Sequence, residues 1–152
     1  MNYLQLCQRL HREMRDSGSG MTSVTNQRGR YLEMVEAIRD AWTDIQGKYD
    51  WDKSFYGAKP DTDPVEKYSR YDPQFLTQSL DIPFLPEQYQ LIIVWQAMIG
   101  GAIRMNAPEL LQKATYKHGE LMMSLANRYV GPDFGVPQEL DSAYEIEVFP
   151  SD

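Results

Sequence analysis

Apolar residues recur at steps of three and four in four separate stretches of the chain, the period of one helix face. Tyr3, Leu6, Cys7, Leu10 and Met14 predict a short amphipathic helix over residues 2–15. A small, polar linker follows, SGSGMTSVTNQRG, in which Asn26 or Thr25 is expected to cap the next helix. In that second helix, residues 27–47, the positions Tyr31, Val35, Ile38, Trp42, Ile45 and Tyr49 form a seam for packing on another helix, and Gly47 with Asp50 marks its end. Leu85-Pro86-Glu87 is expected to open a third helix, with proline in its favoured first turn. From Tyr89 to Met105 that helix is apolar almost all round, which makes it the central one, and Gly100-Gly101 is expected to interrupt it where a neighbour could approach closely. Asn106 and Glu109 stand in capping-box spacing before a fourth helix. Its buried stripe is expected to be Leu111, Ala114, His118, Leu121, Leu125 and Tyr129, and Gly131-Pro132 stops it. The short connection predicts that helices three and four are antiparallel neighbours.

Between the second and third helices the pattern fails. Pro60, Pro64, Pro73 and Pro83 leave no room for a long helix over residues 49–84. Yet Trp51, Phe55, Tyr56, Tyr68, Tyr71, Phe75 and Phe84 are too many aromatics for a solvated loop. This is an irregular arm that packs on its own domain or on a neighbouring copy. At the other end, Tyr144-Glu145-Ile146-Glu147-Val148-Phe149 alternates apolar and acidic residues, as a strand does. A lone strand cannot satisfy its own backbone groups, so it is expected to add to a partner. The fold expected is all-α: a small bundle of about four helices in a domain of residues 1–131 with the arm at 49–84, followed by an extended acidic tail, 132–152.

Composition then narrows the function. A chain of 152 residues with 42% hydrophobic and 24% charged residues is one globular domain, which sets aside collagen-like and wholly disordered readings. The single cysteine, Cys7, leaves no intrachain disulfide framework and fits a reducing compartment. No secretory signal is expected from MNYLQLCQRLHREMR, which lacks an apolar core, and no apolar run has membrane-spanning length. Of the 22 acidic side chains behind the net charge of −7, six stand after residue 130: Asp133, Glu139, Asp141, Glu145, Glu147 and Asp152. None of the 15 basic side chains does, so the body is nearly balanced and lacks the basic excess of a phosphate-neutralising protein.

Candidate chemistry is sparse. His11 and His118 are the two histidines, and His118 falls on an apolar stripe, where it reads as a core residue. Neither zinc-ligand nor EF-hand spacing occurs, and GSG at 18–20 and GG at 100–101 lack the lysine of a phosphate cradle, so neither metal nor cofactor is expected. Asp50, Asp52, Asp61 and Asp63 crowd one loop and could form a hydrolytic carboxylate pair; crowding beside proline and lysine reads better as a solvated turn. Arg9, Arg12, Arg15, Arg28 and Arg30 could touch phosphates, which gives the alternative of a small helical nucleic-acid-binding regulator or assembly factor. Glu13, Asp16, Glu33 and Glu36 among them favour a mixed solvated face. With no catalytic residue assigned, a binding or assembly module is the simpler reading.

Two segments resemble a known family. MNYLQLCQRLHREM with SGSGMTSVTNQRGRYLEMVEAIRDAWTDIQ resembles the amino-terminal signature of tailed-bacteriophage head-tail connector proteins, also called adaptor or head-completion proteins. LPEQYQLIIVWQAMIGGAIRMNAPELLQKATYKHGELMMSLANRYVGP resembles their carboxy-terminal helical pair. The matching positions are Leu4, Leu6 and Leu10, the linker from Ser17 to Thr25, Trp42-Thr43-Asp44-Ile45-Gln46, Leu85-Pro86 with Tyr89, Trp95, and Ala107-Pro108-Glu109. The proline-rich arm stands where relatives carry a longer, strand-rich middle. The resemblance implies a non-enzymatic virion protein of the neck. It would form a homo-oligomeric ring, generally of twelve copies, dock beneath the portal protein, receive tail or neck proteins and let DNA pass only as cargo. Under that reading Trp51, Phe55, Tyr56, Tyr68, Tyr71 and Phe75 form an inter-subunit arm, and Phe134, Tyr144, Ile146, Val148 and Phe149 meet the portal or a neighbouring subunit.

Overall fold

A computed structural model of the chain describes residues 1–130, and the tail expectations for Phe134, Tyr144, Ile146, Val148 and Phe149 lie outside the described residues. The architecture is all-α. Its helices are α1 (Tyr3–Glu13), α2 (Gly29–Lys48), α3 (Leu91–Arg104) and α4 (Pro108–Tyr129), with single 3-10 turns at Lys53–Phe55 and Glu87–Tyr89. Among the described residues there is no strand, and no helix is long and apolar enough to cross a membrane.

α3 sits in the middle and touches α1, α2 and α4. Its near-continuous apolar sequence explains why: Ile92, Ile93, Val94, Trp95, Ala97, Met98 and Ala102 are all buried, and a helix enclosed on three sides needs apolar residues on all of them. The glycine pair does not break this helix. The close neighbour expected at the pair is α1, at Gly101: a Cβ there would meet Met14 Cε at 3.0 Å, whereas one at Gly100 would meet nothing within 4 Å. α4 returns antiparallel, as its short connection requires. Its buried stripe is rotated from the expected one: Leu110, Met122 and Ala126 join Ala114, Leu125 and Tyr129 inside, while Leu111, His118 and Leu121 lie at the boundary.

Several helix ends differ from expectation because local backbone chemistry decides them. α1 is capped by Asn2, whose side chain accepts from Gln5 N at 2.9 Å while Gln5 Oε1 accepts from Asn2 N, a full capping box. α2 has no side-chain cap: Asn26 takes a left-handed turn conformation (φ 58°) and Arg28 occupies the cap position. Asn106 is likewise left-handed (φ 52°) and Ala107 precedes α4 without a side-chain cap. α3 starts at Leu91 rather than at Leu85, because the preceding turn is wound as a 3-10 turn and the buried Gln90 amide donates to Leu85 O at 3.0 Å. The linker after α1 is not merely polar, since Met21 and Val24 are core residues. His11 is buried, donates to Ser17 O at 3.2 Å and packs edge-on against Tyr31. Tyr3 hydroxyl donates to Val35 O at 2.6 Å, tying α1 to α2, and burial raises its pKa.

Candidate functional site

The arm is two structures in one. Its first half completes the core. Trp51 Nε1 donates to Ile45 O at 2.9 Å, and the Trp51 ring stacks on Phe55 at 4.5 Å between centroids. Phe55 in turn meets Phe84 and Tyr129 edge-on, each at 5.5 Å, and Asp52 N donates to Tyr129 O at 2.8 Å. Trp51 and Phe55 retain 5% and 3% exposure. The expectation that these two face a neighbouring subunit is therefore corrected: their rings are consumed in closing the end of the bundle where α2 and α4 finish. Tyr56 and Tyr68 are half-buried; Tyr56 hydroxyl donates to Gln46 O at 3.2 Å and Tyr68 stacks on Phe84.

A hairpin-like excursion carries the chain outward between these residues. Lys59 N donates to Glu66 O at 2.7 Å, Tyr68 N to Gly57 O at 2.9 Å, and Ser69 N and Asp72 O pair at 3.0 Å. Gly57 has no alternative, because a Cβ would lie 2.4 Å from Phe84 Cβ. Lys59 pairs with Asp72 and Glu66 across the excursion.

Two glutamines fasten the arm to α2. Gln46, fully buried, donates to Gln74 O at 2.9 Å and accepts from Gln74 N at 2.8 Å, imitating a strand pair with one side chain. Gln74 Oε1 accepts from Trp42 Nε1 at 3.1 Å and Phe84 N at 3.0 Å, and Gln74 Nε2 donates to Ile82 O at 2.9 Å. Replacing Gln46 by leucine keeps the volume and strands both backbone groups of Gln74. The expected cost is about 1–3 kcal/mol, read from the midpoint of urea unfolding. The sequence placed Gln46 only in the Trp42–Gln46 helix end and did not single out Gln74, because a glutamine carries no local signal of its partner.

The last stretch of the arm turns back to cap α1, with Tyr3 N donating to Asp81 O at 2.7 Å and Leu4 N to Ser79 O at 3.1 Å. Burial would raise the Asp81 carboxyl pKa, but the Gln78 and Thr77 backbone N–H groups and the Thr77 hydroxyl donate to Oδ2 and bring it below the ordinary value. A lowered carboxyl stabilises the fold above its unfolded pKa and loses that contribution as pH falls through the folded value. Acidification below the ordinary carboxyl range should therefore lower the urea midpoint more in the natural chain than in Asp81→Asn; equal losses would show that the turn is not a pH-sensitive element.

What remains outside is an apolar surface. Tyr71 is 92% exposed, Leu80 78%, Ile82 59% and Phe75 58%. Phe75, Leu80 and Ile82 line a shallow depression of about 600 Å³ with Tyr68, Pro83 and Phe84. Phe75 also borders a second depression, about 400 Å³, on α2 beside Arg39, Asp40, Thr43, Asp44 and Gly47. An apolar centre with a charged rim has the anatomy of a protein interface. Tyr71 and Phe75 thus face outward, away from the subunit's own core.

The groups that could do chemistry are held differently. Cys7 is fully buried and its thiol is pushed up to about 12 by burial, which leaves no thiolate at neutral pH. His118 Nε2 donates to Gln96 Oε1 at 3.1 Å, and Gln96 Nε2 donates to Asp44 Oδ2 at 2.7 Å. Burial, then the Lys48 charge, lowers the His118 pKa and favours the neutral ring. Asp50, Asp52, Asp61 and Asp63 are all exposed, and Asp52 is lowered mainly by the Ser54 hydroxyl, opposite to what a general acid needs. Glu13 is also lowered: the Lys113 and Arg9 partners overcome the effect of burial. Among the described residues no group of three His, Cys, Asp or Glu could hold a metal ion. Arg9 pairs with Glu13 at 2.9 Å and lies over the Trp95 ring; Arg30 pairs with Asp16 at 2.7 Å. Arg12, Arg15 and Arg28 are exposed.

No protein-family model, curated protein or solved structure matches this chain.

Proposed function

We propose that this chain is an assembly protein, a head-tail connector of a tailed bacteriophage. It works as a homo-oligomeric ring, generally of twelve copies as the resemblance implies, docked beneath a portal protein and joining the DNA-filled capsid to tail or neck proteins. The chain performs no catalysis in this role. The observation that carries the reading is the divided arm: Trp51, Phe55 and Phe84 anchor it in the subunit, and Tyr71, Phe75, Leu80 and Ile82 are then presented outward at fixed positions. Apolar residues held out from a rigid base are costly to a free monomer and useful to a contact. A ring needs a heterologous contact, in which one face of a subunit meets a different face of the next. The arm surface beside α2 supplies one such face. The tail, with Phe134, Tyr144, Ile146, Val148 and Phe149, supplies the portal or neighbour contact. The resemblance of residues 1–46 and 85–132 to connector proteins supports the same role.

Size-exclusion chromatography with light scattering, run with and without a portal protein, tests this. A closed ring alone, or one that forms on the portal, is the expected result. A chain that stays monomeric in both runs and instead binds duplex DNA with steep salt dependence would replace the connector by the nucleic-acid-binding reading.

A further inference from the structure

At the end of the bundle where α1 finishes, α2 starts and α3 finishes lies a cleft of about 240 Å³. Leu10, Met14, Met34, Ala97 and Gly101 form its apolar floor, and Arg30, Glu33, Arg104 and Met105 its rim. Met105 at the rim is 41% exposed, so the apolar lining reaches the opening. The same end is basic. Arg15 follows α1, Arg28 precedes α2, and Arg30 and Arg104 stand at the cleft, against the carboxylates Asp16 and Glu33. Arg30 is paired with Asp16 and also reaches Met105 Sδ at 3.2 Å, whereas Arg104 makes no ion pair among the described residues.

The geometry points to this cleft as the binding site of the chain's own carboxy-terminal segment, Tyr144–Phe149. Three observations select that occupant. First, the charges are complementary: the 22 residues after Val130 hold six carboxylates and no basic side chain, and the cleft end holds an excess of guanidinium groups. Second, the pattern fits. In an extended segment Tyr144, Ile146 and Val148 share one side and Glu145 and Glu147 the other, so apolar side chains can enter a methionine-lined floor while the acids meet Arg30 and Arg104 at the rim. Third, the tether reaches. α4 ends beside the start of α3, where Arg128 lies over the Tyr89 ring. The cleft is one α3 length away, about 20 Å, and residues 131–143 fully extended span about 40 Å.

This goes beyond the connector reading and does not depend on it, since a tail that fills its own cleft needs no ring. A portal or neighbouring copy that takes the tail must then compete with an intramolecular site at an effective concentration of the order of millimolar.

Methionine methyl NMR on the full chain gives the test, because three of its eight methionines line the cleft and Met21, Met98 and Met122 lie in the core elsewhere. In a full chain carrying Ile146→Asp with Val148→Asp, the signals of Met14, Met34 and Met105 should move while those of Met21, Met98 and Met122 stay. Both substitutions lie outside residues 1–130, so the bundle keeps its own sequence, and an unchanged circular-dichroism spectrum checks that it stays folded. A synthetic peptide of residues 139–152 added to that variant should restore the original positions, and Arg104→Glu should weaken the peptide about tenfold or more. In the natural chain the signals should not change on dilution. Identical spectra for natural chain and variant would overturn the proposal. Signals that change on dilution would assign the cleft to a second copy's tail, and a duplex oligonucleotide that moves them where the peptide does not would assign it to nucleic acid; either outcome also overturns it.

Discussion

Replacing Trp42 by alanine is expected to remove about 3–5 kcal/mol of stability, a large part of the 5–15 kcal/mol that a domain of this kind has. Trp42 is fully buried at the crossing of α2 with the arm, edge-on to Phe84 at 4.8 Å and within 6.4 Å of Phe55. Its indole N–H is also one of the two donors to Gln74 Oε1. Truncation leaves a cavity in a place that cannot collapse, because Gly57 and Phe84 are already in tight contact and Gln46 holds Gln74 in register. Trp42→Phe keeps most of the volume and gives up the donor, and should cost about 1–2 kcal/mol. Urea unfolding followed by circular dichroism measures both. A loss under about 1 kcal/mol for Trp42→Ala would mean that the arm is not docked on α2 in solution, since large core truncations cost more than that.

Aspartate at Phe75 and Leu80 should do the opposite: leave the subunit intact and abolish its assembly. Both side chains are more than half exposed, and exposed substitutions usually change stability by no more than about 0.5 kcal/mol. At the centre of an interface, a truncated apolar anchor costs about 2 kcal/mol or more, close to thirtyfold in affinity, and a buried unpaired carboxylate adds to it. Light scattering of the double variant should report monomer at concentrations where the natural chain is assembled, with an unchanged unfolding midpoint. Rings formed normally by Phe75→Asp/Leu80→Asp would exclude the arm surface as the contact between copies. The two experiments probe the two halves of the arm separately, one as core and the other as surface.

The four helices and the central place of α3 were legible in the sequence because apolar periodicity is a local property. Whether a helix is enclosed on one side or on three is written in how far round its apolar residues extend, and Ile92 to Met98 extend all the way. Finer boundaries were not legible. The capping sites at Asn26 and Asn106 failed because both residues take a left-handed backbone, where the side chain no longer aims at the first helical N–H groups. The buried stripe of α4 turned by about one residue, since the side of a long amphipathic helix that faces inward depends on the neighbour it meets. In the arm the sequence determined that the aromatics must pack and left their destination open. Tertiary structure made the division: Trp51 and Phe55 fall over the ends of α2 and α4, where apolar surface was waiting, and the excursion set by Gly57 and Gln74 carries Tyr71 and Phe75 past the edge of the bundle. That choice rests on long-range contacts between residues 28 or more apart, such as Gln46 with Gln74 and Phe55 with Tyr129, and no periodicity within a segment encodes those. Composition determined that the body is balanced and the tail acidic; only folding brings Arg30 and Arg104, 74 residues apart, to the rim of one cleft.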